Sequence, residues 1–232
     1  MAATAVMSAP ESSMATSPTS ERPATPEPAP LSTFIIFDWD DTLLASTWLA
    51  SRGMRLDEPE VLPEDVRAHL EELQTSVVAL LEQAIKLAPV CVVTNAETGW
   101  VQLSARRFMP AVEPLLARVH VLSARSTYEP VSRCPSEWKV RAFHQVLGDH
   151  FVTVDPLAAR NVISFGDSIH ERHAVHKVTA GVPNTLTKSV KFVERPTSEQ
   201  LKRQVELVSG CIGDIVSHTA NLDLMLTIQL LK

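Results

Sequence analysis

The chain is short of cysteine, of positive charge and of long apolar runs. Its three cysteines among 232 residues, Cys91, Cys134 and Cys211, are widely spaced and form no Cys-x-x-Cys pair. This argues against a zinc knuckle or a disulfide framework and fits a reducing compartment. With 21 Lys and Arg against 27 Asp and Glu, the formal charge is -6, so general nucleic-acid binding is not expected. One local basic cluster, Lys188, Lys191, Arg195, Lys202 and Arg203, reads as a solvated surface, with a phosphorylated partner as the alternative. No apolar stretch approaches membrane-spanning length, and no internal repeat is present. Residues 1–31 are rich in Ala, Ser, Thr and Pro, with Pro10, Pro18, Pro23, Pro26, Pro28 and Pro30 interrupting any element, and read as a disordered tail. They lack the apolar core of a signal peptide, and Glu11, Glu21 and Glu27 against Arg22 argue against a transit peptide, so the expected location is cytoplasmic. Residues 32–232 are long enough for one substantial core.

What the chain does have is a crowded acidic turn. Residues 34–44 read Phe-Ile-Ile-Phe-Asp-Trp-Asp-Asp-Thr-Leu-Leu, an apolar run ending in Asp38, Asp40 and Asp41 and followed by Thr42. The run is too short for a helix and suits a strand buried on both faces of a parallel sheet. Ligands of such sheets bind at the carboxyl ends of the strands, where these acids fall. Carboxylates crowded at a buried strand end need a cation or hydrogen bonds to offset their burial. They can hold a hard cation such as Mg²⁺, or supply a nucleophile beside a general acid. The simpler alternative is a cap on a helix beginning near Leu43.

Further strands and helices alternate along the chain. Leu43 to Glu60, with Gly53 and Pro59, reads as an irregular excursion or short hairpin. Pro63 to Leu87 carries Val66, Leu70, Leu73, Val77, Leu80, Leu81 and Ile85 on one helical face. Val90 to Val93 reads as a buried strand ending in Thr94-Asn95. A helix with Trp100, Leu103 and Phe108 follows, and Val119 to Leu122 is a third strand. Between Leu122 and Ser136 only a loop is expected. Ser136 caps a helix through Lys139 that closes near Gly148. Asn161 to Phe165 is a fourth strand, broken by Gly166-Asp167-Ser168 before another helix. Thr185 to Val193 is the fifth strand, and a helix from Ser198 closes the domain. Together these predict an α/β fold: a Rossmann-like, doubly wound, mostly parallel sheet of about five strands flanked by helices, with no large cap domain.

Each strand end adds chemistry. Asp167, at the fourth, can converge with Asp38 on one Mg²⁺, and Glu171, one helical turn on, suits an outer carboxylate. The same Gly-Asp-Ser also reads as a turn and helix cap. Thr94 and Asn95 can hold phosphate oxygens at the start of a helix. Lys139 can steady an anionic nucleophile approaching a phosphoryl group, though a lone Lys on an amphipathic helix is ordinarily solvated. His170, His173 and His176 invite a zinc reading, but Ala174 stands where His-Glu-x-x-His needs a ligand, so they read as ordinary helix residues.

The ordered set Asp-x-Asp-x-Thr, Thr-Asn, Lys and Gly-Asp-x-x-x-Glu resembles the four motifs of the haloacid dehalogenase-like hydrolase superfamily, over Phe34 to about Val193. The resemblance implies a Mg²⁺-dependent phosphatase working through an aspartyl-phosphate. It makes Asp38 the nucleophile and a metal ligand, and Asp40 the acid/base residue, its backbone carbonyl also meeting the metal. Thr94 would bind phosphate, Lys139 steady charge and Asp167 ligate Mg²⁺. Asp41 stands where many members have Gly, and Glu171 replaces the more usual Asp. Trp39 either lines the entrance or packs beneath the loop. Members that act on small metabolites commonly carry a cap domain. Its absence here implies an open cleft and a phosphorylated protein or other macromolecule as substrate, with Arg125, Tyr128 and Arg133 near the opening or simply on the surface. Two alternatives stay open: a catalytically silent phosphate-binding scaffold, and a phosphotransferase.

Overall fold

A computed structural model describes residues 31–57, 61–155 and 158–227. The expected tail, apart from Leu31, and residues 58–60 of the expected excursion lie outside the described residues. The centre is β1 (Ser32–Phe37), whose side chains are divided between the two faces of the sheet. Ile35 and Phe37 join one core cluster, while Phe34 and Ile36 join the other. This is the period-two alternation of a strand covered on both sides. Around it lie β2 (Val90–Thr94), β3 (His120–Ser123), β4 (Arg160–Gly166), β5 (Thr185–Lys191) and β6 (Leu222–Met225). All pairings are parallel, in the order β3-β2-β1-β4-β5-β6.

Two helix layers close the sheet. On one face α2 (Glu64–Leu87) and α8 (Ser198–Ser217) pack together. The periodic residues Leu70, Leu73, Val77 and Leu81 of α2 are buried in the same cluster as Leu201, Val205 and Ile212 of α8, each fully buried Leu or Ile contributing about 1.5–3 kcal/mol. On the other face α6 (Pro135–Phe151) and α7 (Ile169–Thr179) pack together. Short helices α1 (Ser46–Ser51), α3 (Trp100–Phe108), α4 (Glu113–Leu116) and α5 (Ala124–Tyr128) complete the chain.

Several sequence expectations are corrected. The excursion after Leu43 contains α1. The expected loop between Leu122 and Ser136 contains α5, capped by Ser123 Oγ accepting from Ser126 N at 2.9 Å. Helix α6 begins one residue before Ser136, because Pro135 at its first position needs no hydrogen-bond acceptor. It runs past Gly148 to Phe151, whose ring meets Phe34 at 6.5 Å. A sixth strand exists: β6 is only four residues long and largely exposed, so it carries no alternating signal.

The basic cluster does not form one solvated surface. Lys188 is fully buried and donates to the carbonyls of Ile215, Val216 and His218 at 2.8, 3.0 and 2.6 Å. It thereby satisfies the end of α8, while burial pushes its ammonium down to about 8. Lys191 is also buried, whereas Lys202 and Arg203 make exposed pairs with Glu72 and Glu199.

The strand order reverses between β1 and β4, and ligands of open parallel sheets bind at the carboxyl side of such a crevice. Asp38 follows β1 and Asp167 follows β4. The ends are stitched by Asp38 N donating to Phe165 O at 2.9 Å. Among the described residues no helix is long and apolar enough to cross a membrane.

Candidate active site

The chain after β1 wraps around one carbonyl. Trp39 O accepts from the amides of Thr42, Leu43 and Leu44 at 3.4, 2.9 and 3.0 Å. Trp39 itself is fully buried and donates from Nε1 to Ser104 Oγ at 3.0 Å, so it packs beneath the turn. The tightness of this turn puts Asp41 at a φ of 54°, a left-handed conformation for which glycine is favoured and aspartate is among the better-tolerated alternatives. In exchange its carboxylate accepts from Thr47 N at 2.9 Å and Ser46 Oγ at 3.4 Å, tying the turn to α1.

Asp40 is held from two elements. Its Oδ1 accepts from Trp100 Nε1 at 2.9 Å, on α3, and its Oδ2 accepts from Thr94 Oγ at 3.1 Å, at the end of β2. Burial raises the Asp40 carboxyl above its ordinary value, opposed by these hydrogen bonds. Thr94 Oγ also accepts from Ala96 N at 2.9 Å, fixing the turn into α3. Asn95 lines the opening and donates from Nδ2 to Pro135 O at 3.3 Å.

Lys139, on the inner face of α6, is 1 % exposed. Its Nζ contacts Asp38 Oδ1, donates to Val93 O at 2.5 Å and lies 3.0 Å from Glu171 Oε1. Burial opposes its charge, but the Asp38 and Glu171 carboxylates outweigh that cost and hold the lysine above its usual range. The benefit is shared unequally. Glu171 is also desolvated, yet Lys139 and the Ser168 hydrogen bonds bring it below its ordinary value. For Asp38 burial dominates and, with the charges of Glu171 and Asp40, raises it despite Lys139.

Glu171 occupies both its oxygens. While Oε1 faces Lys139, Oε2 accepts from Ser168 N at 3.1 Å and from Ser168 Oγ, completing a capping box at the start of α7. It reaches this position because residue 166 lacks a side chain. An added Cβ there would lie 2.7 Å from Glu171 Cβ and 2.9 Å from Oε2. Asp167 lines the same cleft, and burial together with the Glu171 and Asp41 charges pushes it up to about 7.

The cleft encloses about 700 Å³ and brings together Asp38, Asp40, Lys139, Asp167 and Glu171, with Asn95 also in its wall. Thr94 lies behind Asp40. Arg125 reaches the cleft from α5 and pairs with Glu129 at 3.1 Å and Glu97 at 3.6 Å. Tyr128 turns away, its hydroxyl donating to Gln145 at 2.7 Å. Of the three histidines, His170 lines the cleft, while His176 Nε2 sits 3.6 Å from Asp223.

Among the described residues no three His, Cys, Asp or Glu side chains form a ready-made metal cage. Mg²⁺ does not require one, since it is bound through one or two carboxylates and keeps several waters. The donor chemistry fits such an ion: hard oxygens only, with Asp38, Asp40 and Asp167 all raised by burial and Lys139 the interior cation among them. Asp38, Asp167 and the Asp40 carbonyl would hold it. Glu171, engaged by Lys139 and Ser168, would act from outside.

Sequence reasoning missed Trp100 as a partner of Asp40, having counted it only as an apolar helix residue. A half-buried indole N–H requires an acceptor, which was the available signal. It also missed the steric dependence of Glu171 on Gly166, which no spacing rule reveals. Compared with models of protein families, with curated proteins and with solved structures, the chain matches none.

Proposed function

We propose that the chain is a Mg²⁺-dependent phosphohydrolase of the haloacid dehalogenase-like kind, cleaving phosphomonoesters through an aspartyl-phosphate on Asp38. The observation that carries this reading is the division of labour between two neighbouring acids. Asp38 touches a buried lysine, while Asp40, two residues on, is held by Trp100 and Thr94 and biased toward its protonated form by burial. A nucleophile must be anionic and a general acid must carry a proton; burial raises both carboxyls, and only Asp38 has a cation in direct contact to oppose it, whereas Asp40 is held by neutral donors.

In the first half-reaction an Asp38 oxygen attacks phosphorus, the ester P–O bond breaks, and the leaving oxygen takes the proton of Asp40. In the second, Asp40 takes a proton from water as that water attacks the aspartyl-phosphate. The P–O bond to Asp38 breaks, releasing phosphate and restoring both carboxyl groups. Lys139 opposes the burial that raises Asp38 and offsets charge on the phosphoryl oxygens. When bound, Mg²⁺ supplies charge neutralisation between the carboxylates and the phosphate.

Steady-state hydrolysis of p-nitrophenyl phosphate with and without Mg²⁺, in the native chain and in Asp38→Asn, tests the reading. Mg²⁺-dependent turnover lost on substitution is expected. Turnover that survives Asp38→Asn would rule out this nucleophile, and a native protein that binds phosphate without turning over esters would make it a scaffold.

A further inference from the structure

The cleft in which the leaving group must stand carries three large apolar side chains, Leu56, Trp100 and Leu103. Asp40 delivers its proton to the leaving oxygen, so the alcohol half of the substrate lies beside Asp40 and the residue that anchors it, Trp100. The lining of the cleft includes the apolar side chains Leu56, Trp100 and Leu103 beside the polar Ser46, Thr47 and Thr98. Leu103 is 52 % exposed, on the same open face of α3 as Gln102 and Arg106. Trp100, Ser46 and Thr47 also form the boundary with an adjoining recess of about 300 Å³, lined further by Leu44, Met54 and Phe108. The Ser46 hydroxyl is directed to Asp41. A polyol entering here would exchange water for the side-chain carbon of Leu56, Trp100 and Leu103, at a cost for each hydroxyl that does not reach a polar neighbour such as Thr47. A flat ring would gain apolar burial and an indole to stack on. The recess of about 300 Å³ has room for one ring.

We propose that the substrate is a phosphomonoester whose alcohol carries an aromatic ring close to the phosphate, seated against Leu56, Trp100 and Leu103. This rests on the phosphohydrolase reading above and adds the identity of the leaving group. The charged half of the substrate meets Lys139 and the acidic cluster, and the ring meets the large apolar side chains of the lining, of which Trp100 is bonded to Asp40.

The test compares benzyl phosphate, glycerol 1-phosphate and hexyl phosphate. All are esters of primary alcohols, which keeps the difference in leaving-group reactivity small. Expected is a kcat/KM for benzyl phosphate about tenfold to a hundredfold above glycerol 1-phosphate, with hexyl phosphate below benzyl. Leu103→Asn and, separately, Leu56→Ser should shrink the benzyl-to-glycerol ratio, read within each protein so that a general loss cancels. Calorimetric binding of benzylphosphonate against 2-hydroxyethylphosphonate reads the same preference without turnover. Equal affinities, a ratio unmoved by both substitutions, or hexyl phosphate ranking first would overturn the proposal. Acetyl phosphate, which has no ring or polyol, separates the two readings. If the native protein leaves it intact in Mg²⁺ yet prefers the benzyl ligand, the hydrolase reading fails while the aromatic wall stands.

Discussion

Lys139 Nζ and Glu171 Oε1 lie 3.0 Å apart in the interior, joining a helix on one side of the cleft to the helix that follows Asp167. Both side chains are almost fully buried, and the lysine is shared with Asp38. A buried pair broken from one side leaves the other charge under-compensated. Glu171→Ala is therefore expected to destabilise the fold by about 3 kcal/mol in denaturant unfolding, with Glu171→Gln costing less because its amide oxygen still accepts from Ser168. Equal stability of Glu171→Ala and the native chain would show that the pair is not needed for folding.

Gly166 and Glu171 compete for the same space. Gly166→Ala puts a methyl group against the glutamate stem, so a loss of about 1–3 kcal/mol is expected. Glu171→Ala removes the contacts with Cγ and Oε2 but keeps the Cβ 2.7 Å away, so it relieves part of that strain. The double variant Gly166→Ala with Glu171→Ala should consequently be more stable than the sum of the single losses implies, by more than about 0.5 kcal/mol. Strict additivity in a double-mutant cycle would place the strain elsewhere.

Asp167 gives stability a pH dependence opposite to that of an ordinary salt-bridged acid. Its folded value near 7 stands above the ordinary 3.8. Between those values the folded chain holds a proton that the unfolded chain has lost. The associated stability is present at the acid end and is lost as pH rises through about 7. With chelator present, the native Tm should fall more from about pH 5 to about pH 8 than that of Asp167→Asn. Added Mg²⁺ should narrow the gap by binding the ionised folded state. A native Tm that changes with pH no more than the variant's would contradict this.

Trp100→Phe removes the donor to Asp40 Oδ1 while keeping a ring in the wall. Thr94 and Ser46 are then left to orient the proton donor. Loss of one orienting hydrogen bond is expected to lower kcat about tenfold to a hundredfold with a smaller change in KM. A change confined to KM would make Trp100 a substrate contact and not a support for Asp40.

Strands β1, β2 and β4 were legible because they are short, largely buried runs such as Val90–Val93, each closed by polar residues. The strand ends also revealed the main candidates, since Asp38, Asp40 and Asp167 interrupt apolar runs where burying a carboxylate is costly. Short surface elements were not legible. Helix α1 depends on the Asp41 contact to Thr47 N, and β6 is too exposed to carry a pattern. Lys188 misled because its sequence neighbourhood is basic, while its ammonium serves three carbonyls at the far end of another element. The role of Asp41 required the backbone dihedral, and the role of Trp100 required knowing that α3 starts beside Asp40.

Rapid acid quenching of the Mg²⁺-loaded protein during turnover of an aryl phosphate, followed by mass spectrometry of the peptide spanning residues 34–44, tests the central claim most directly. A transient phosphoryl group on Asp38, absent from Asp38→Asn, is expected. Turnover with no phosphoryl group on that peptide, or with one trapped on another residue, would contradict it.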